Sequence, residues 1–160
     1  MSSGLKLAAV AVAFSYVLGF AASTSRADAA ADELAKLKGK WSAVSIDEGK
    51  GMKEEPVKKH PFVMIFDGDK LRVVEGSAAT RPSTRPADEG GDNGAIVVNP
   101  AATPATLDWK SLKNPKEVRL LAYRLEGDTL TVCFGKGDKE RPAEIKAEKG
   151  TLVMVLKREK

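Results

Sequence analysis

From residue 40 onward the chain consists of short runs in which apolar positions, many of them β-branched or aromatic, alternate with polar ones. Each run is closed off by Gly, Asp, Asn or Pro. A period of two with that punctuation predicts half-buried strands. The runs are residues 41–46, 62–66, 71–75, 95–99, 106–109, 118–125, 129–134, 142–146 and 152–158. Asp67-Gly68-Asp69 and Glu126-Gly127-Asp128 have the chemistry of tight hairpin turns. No helical stretch interrupts the succession, so the expected fold is all-β: a single small antiparallel up-and-down barrel of about eight to nine strands, closed because closure removes both sheet edges.

The pattern changes upstream. Residues 30–37 carry Leu34 and Leu37 three apart on one face and predict a short helical entry segment. Before it, Lys6 precedes a mostly apolar run, 7–20, broken by Ser15 and Gly19 and followed by Ser23-Thr24-Ser25-Arg26. A spanning helix needs about 20 apolar residues, so the run reads as the helix of a secretory signal peptide, with a retained anchor as the alternative. Ala27-Asp28-Ala29 places small residues at both recognition positions of a signal peptidase, which predicts cleavage after Ala29; Ser25-Arg26-Ala27 offers an earlier register. The domain division expected is therefore a signal peptide over 1–29 and a barrel over 30–160. No Cys adjoins the cleavage site, so the processed chain is expected to be exported to the periplasm or beyond, without stable membrane insertion.

One stretch does not fit the strands. Residues 76–94 hold the tandem Thr80-Arg81-Pro82 and Thr84-Arg85-Pro86, then an acidic, glycine-rich part, with no apolar side chain larger than Ala or Pro. Nothing there can be buried, and the stretch is expected to be a disordered insertion in a hairpin. Its resemblance to a calcium loop is faint: Gly90 stands where a third ligand belongs, and no Glu closes a twelve-residue loop.

Composition narrows the chemistry. A length of 160 residues with 42% hydrophobic side chains suits one core. The net charge of +4 comes from Lys and Arg interleaved with acids, as in Lys53-Glu54-Glu55 and Asp138-Lys139-Glu140-Arg141. Without a basic stripe set among stacking aromatics, no nucleic-acid partner is expected. One His and one Cys cannot make a His/Cys metal cage or an internal disulfide, so no metal or cofactor is expected. A Cys–His nucleophile pair would require His60 and Cys133 to meet, and Cys133 reads instead as a small buried hydrophobe. Asp67, Asp69, Glu126 and Asp128 flank hairpin glycines, where turn chemistry accounts for them. Gly135-Lys136-Gly137-Asp138 lacks the spacing of a phosphate loop. No catalytic residue emerges, and the chain is not expected to be an enzyme.

Four motifs add a resemblance. Gly39-Lys40-Trp41, the run Gly127-Asp128-Thr129-Leu130 leading to Cys133-Phe134, Arg141-Pro142 and the closing Leu156-Lys157-Arg158 resemble the lipocalin-like domain family of unknown function found in exported planctomycete proteins. The likeness runs from about Leu34 to Arg158, with Ile145 where that family has an aromatic and with the insertion at 76–94 as a departure. It implies a lipocalin-like barrel, and it implies no reaction. In lipocalins the Trp of Gly-x-Trp plugs the closed end of the barrel under a basic residue from the last strand, so the resemblance implies that Trp41 and Arg158 form a structural plug. An Arg over an indole face is independently favourable by about 0.5–2 kcal/mol; the alternative is a core Trp and a solvated Arg.

Small barrels enclose room for one small ligand, lined by alternate residues of each strand. The alternation nominates Phe62, Met64, Phe66, Leu121, Tyr123, Leu130, Val132, Phe134 and Met154 as the lining, with Leu125, Leu152 and Leu156 in the same rows. The expected function is non-catalytic binding of a small, mainly apolar ligand by a monomer. If these side chains fill the interior, the alternative is a cell-envelope structural or protein-interaction module. A lumen of about 300 Å3 or more separates the two. An acidic ligand would also need an inward Arg, for which Arg119, Arg124 and Arg141 are the strand-borne candidates.

Overall fold

The computed structural model describes residues 25–76, 91–135 and 140–160. Eight antiparallel strands, β1 (Gly39–Asp47), β2 (Phe62–Asp67), β3 (Lys70–Glu75), β4 (Asp92–Asn99), β5 (Ala105–Ser111), β6 (Val118–Glu126), β7 (Thr129–Phe134) and β8 (Leu152–Arg158), close into a barrel in chain order. The seam is the β1–β8 pairing, with Trp41 opposite Arg158 and a register shift between Ala43 and Ser45. Gly68 and Gly127 supply the positive φ, +60° and +58°, that lets two-residue turns join β2 to β3 and β6 to β7.

Alternate strands run in opposite directions, which sorts the connections by end. The helix α1 (Arg26–Leu37), the two tight hairpins, the β4–β5 turn and the C-terminus share one end. The four longer connections share the other, and there α2 (Glu55–Lys59) lies between β1 and β2. The expected succession without a helix is corrected by α2, a single turn opened by Pro56 and fastened to the core through buried Val57.

α1 begins four residues before the expected Ala30 because Ser25 and Asp28 form a capping box: Ser25 Oγ accepts from the Asp28 amide at 3.3 Å, and the Asp28 carboxylate accepts from the Ser25 amide at 3.2 Å. The helix thus runs across the expected cleavage point. Leu37 is fully buried, and Leu34 and Ala30 rest on the core. Among the described residues no helix is long and apolar enough to cross a membrane. The apolar run at 7–20 lies outside the described residues, as do 77–90 of the expected insertion.

Two further expectations are corrected. Residues 142–146 do not form a strand; Pro142 has no N–H to donate, and the segment instead straps the outside of the barrel, with Ile145 and Ala147 against Ala122, Cys133 and Val153. β4 starts at Asp92 rather than residue 95: Asp92, Asn93 and Gly94 pair with Val73, Arg72 and Leu71 although none offers an apolar side chain.

Candidate functional site

The inward side chains fill the barrel unevenly. Near α1 the interior is solid: Leu37, Trp41, Phe66, Tyr123, Leu130 and Leu156 are at most 2% exposed. Trp41 is held from both sides of the barrel floor. Its indole N–H donates to the Leu37 carbonyl at 2.7 Å, and the Arg158 guanidinium carbon lies 4.1 Å from its ring centroid. Arg158 also donates to the carbonyls of Lys36 and Lys38, at 2.7 and 2.6 Å, and to the Asp128 carboxylate at 3.0 Å. A cation therefore neutralises carbonyls that α1 leaves unpaired at its C-terminal end. Tyr123 reaches the helix too, donating from its hydroxyl to Glu33 at 3.2 Å. Burial, reinforced by the neighbouring Glu33 carboxylate, pushes the Tyr123 phenol up from its ordinary value.

At the opposite end the inward side chains do not meet, and they leave a cavity of about 430 Å3 lined by Phe62, Met64, Leu71, Val73, Glu75, Gly91, Asp92, Trp109, Arg119, Leu121 and Phe134. Its shape depends on Trp109. That residue faces inward from β5, opposite Ile96 and Arg119, and its indole N–H donates to the Leu71 carbonyl at 3.4 Å. To reach Leu71 the ring crosses β4 at Gly94, where a Cβ would lie 2.1 Å from the indole nitrogen. Glycine at 94 is thus required by the close approach of the ring.

The rim is polar. Arg119 points inward from β6, places its guanidinium carbon 5.3 Å from the Trp109 centroid and donates from Nε and Nη2 to one oxygen of Glu117, at 3.2 and 2.9 Å. Asp92, opposite Val73, accepts from the buried Ser111 hydroxyl at 3.3 Å. Glu75 stands two residues beyond Val73 on the same face of β3.

The nine nominated lining residues divide between these two regions. Phe62, Met64, Leu121 and Phe134 line the cavity; Phe66, Tyr123, Leu130, Val132 and Met154 lie in the packed interior. Of the three arginines weighed for an inward position, Arg119 takes it. Arg124 pairs with Glu126 at 3.2 Å, more than half exposed, while Arg141 bonds Asp108 at 2.6 Å and the Leu121 carbonyl at 3.3 Å, away from the cavity. Sequence reasoning missed the lining residues of β3, β4 and β5: in β5 Leu107 and Trp109 alternate cleanly with Asp108 and Lys110, but in β3 apolar Val74 and charged Glu75 break the alternation, and Asp92 of β4 carries no apolar signal.

His60 and Cys133 are not brought together. His60 is exposed at the end of α2, whereas Cys133 is fully buried beneath the 145–147 strap, where burial pushes its thiol up and the Glu148 charge adds to that effect. Among the described residues, no three His, Cys, Asp or Glu side chains are placed to hold a metal ion. No family model, curated protein or solved structure matches this chain.

Proposed function

We propose that this chain is an exported, non-catalytic, lipocalin-like binding protein that holds one small, mainly apolar ligand in the cavity away from α1. The observation that carries the reading is the cavity itself. Its volume of about 430 Å3 exceeds the roughly 300 Å3 that a small-molecule site needs, and its walls are mostly apolar with a few polar groups at one side. The solid half beneath it supports the same reading, since a packed floor under an open mouth gives a preformed pocket. Export rests on the apolar run at 7–20 and the polar, small-residue stretch that follows it.

Titration calorimetry with apolar probes such as octanol tests the binding. One-to-one saturation is expected, and Leu121→Trp, which puts a larger ring into the cavity, should weaken it. Val132→Ile, in the packed interior, should leave it unchanged. Absence of saturable binding would transfer the chain to the alternative, an envelope module acting through its outer surface. N-terminal sequencing of protein recovered from its own envelope tests export; an intact Met1 on membrane-extracted protein would overturn it.

A further inference from the structure

The charges around the cavity discriminate among apolar ligands, and from them we infer that the site takes an organic ammonium: an apolar body with one positive head, set against Glu75 and Asp92. This rests on the reading of the cavity as a ligand site. Two of the three charged side chains in the lining are carboxylates. They rise from neighbouring strands at one lip, because Asp92 lies opposite Val73 and Glu75 is the next inward residue of β3. Ser111 fixes the Asp92 carboxylate by hydrogen bonding to one oxygen.

The third charge does not offset them for a ligand. Arg119 is engaged with Glu117 through two N–H groups and stacked beside Trp109. An anionic ligand that recruited it would break that pair, strand Glu117 and uncover the indole. With Glu117 counted, and with Lys113 bound to the Gly91 carbonyl at 2.8 Å, the described lining and its direct partners carry three carboxylates against two cations. The low-dielectric walls strengthen that bias, so a carboxylate head meets repulsion at the mouth and an ammonium head meets attraction. The walls favour the same head group, since Phe62 and Phe134 bring aromatic rings into the lining, and alkylated ammonium groups bind to aromatic rings.

Three probes with unbranched chains of seven or eight carbons and different heads test this: octyltrimethylammonium, octanol and octanoate, titrated calorimetrically into the whole processed protein at low salt. The ammonium is expected to bind roughly tenfold more tightly than the alcohol, and octanoate more weakly than either. Combining Glu75→Gln with Asp92→Asn should remove the ammonium's advantage and leave octanol unchanged; Glu75→Gln alone, at an exposed position, should remove part of it. Octanol binding with equal or tighter octanoate binding overturns the ammonium assignment and leaves the apolar cavity reading standing. No binding by any of the three overturns both.

Discussion

Arg158 lies opposite Trp41 in the register that closes the barrel, and the same guanidinium that covers the indole also binds the carbonyls of Lys36 and Lys38. One side chain thereby ties the last strand to the first strand and to the end of α1. Trp41→Ala should cost about 3–5 kcal/mol of unfolding free energy, as for a fully buried aromatic, and Arg158→Ala about 1–3 kcal/mol. Chemical denaturation of the two single variants and the double variant checks the coupling. The double variant should lose less than the sum, whereas strict additivity would mean that the two side chains act independently.

Gly94→Ala is expected to displace Trp109, because the new methyl meets the indole at 2.1 Å and the Lys110 carbonyl at 2.7 Å. Overpacking of this kind costs about 1–3 kcal/mol. Near-ultraviolet circular dichroism should change in the tryptophan region, and the affinity for cavity probes should fall. An unchanged spectrum with unchanged binding would contradict the close approach of the ring to β4.

The Tyr123 phenol titrates above its ordinary value in the folded chain because it is buried beside the Glu33 carboxylate. A raised folded-state value means that the stability it contributes is complete below the unfolded value of about 10 and is lost as pH rises beyond it. Unfolding free energy should therefore decline above about pH 10, and Tyr123→Phe should flatten that decline. Spectrophotometric titration should show Tyr123 resisting ionisation where Tyr in the unfolded chain is already ionised; simultaneous ionisation in both states would refute the prediction.

Ser25 caps α1, and replacing it with Ala should cost about 0.5–2 kcal/mol. A chain truncated to begin at Ala30 loses both members of the capping box and the first helical turn, so it should melt below a chain that begins at Ser23. Equal melting temperatures would show that the first turn of α1 adds nothing to the barrel.

The strands were legible because a barrel wall has one dry face, and a period of two records that in each strand separately. The hairpins at Gly68 and Gly127 were legible because a positive φ leaves few choices of residue. The run at 142–146 misled because an outside strap that covers Cys133 and Val153 also needs an apolar residue, Ile145, among polar ones. Asp92 and Asn93 misled in the opposite sense: their place in β4 comes from pairing with β3, to which side-chain hydrophobicity gives no clue. The candidate site was half legible. Inwardness can be read from a single strand, as for Phe62 and Phe134. Whether an inward side chain meets a neighbour or empty space depends on eight strands and a helix together. Leu37 and Trp41 fill one half, and Trp109 folds back over Gly94 to leave room in the other.

The strap over the outer face of β6 to β8 also bears on the proposed export. In an oxidising compartment a single unpaired sulfhydryl invites mixed disulfides with small thiols and cross-links between copies of the same chain. Here the sole cysteine is sealed beneath Ile145 and Ala147. The native protein thus presents no thiol to its surroundings, and its covalent state does not follow their redox poise.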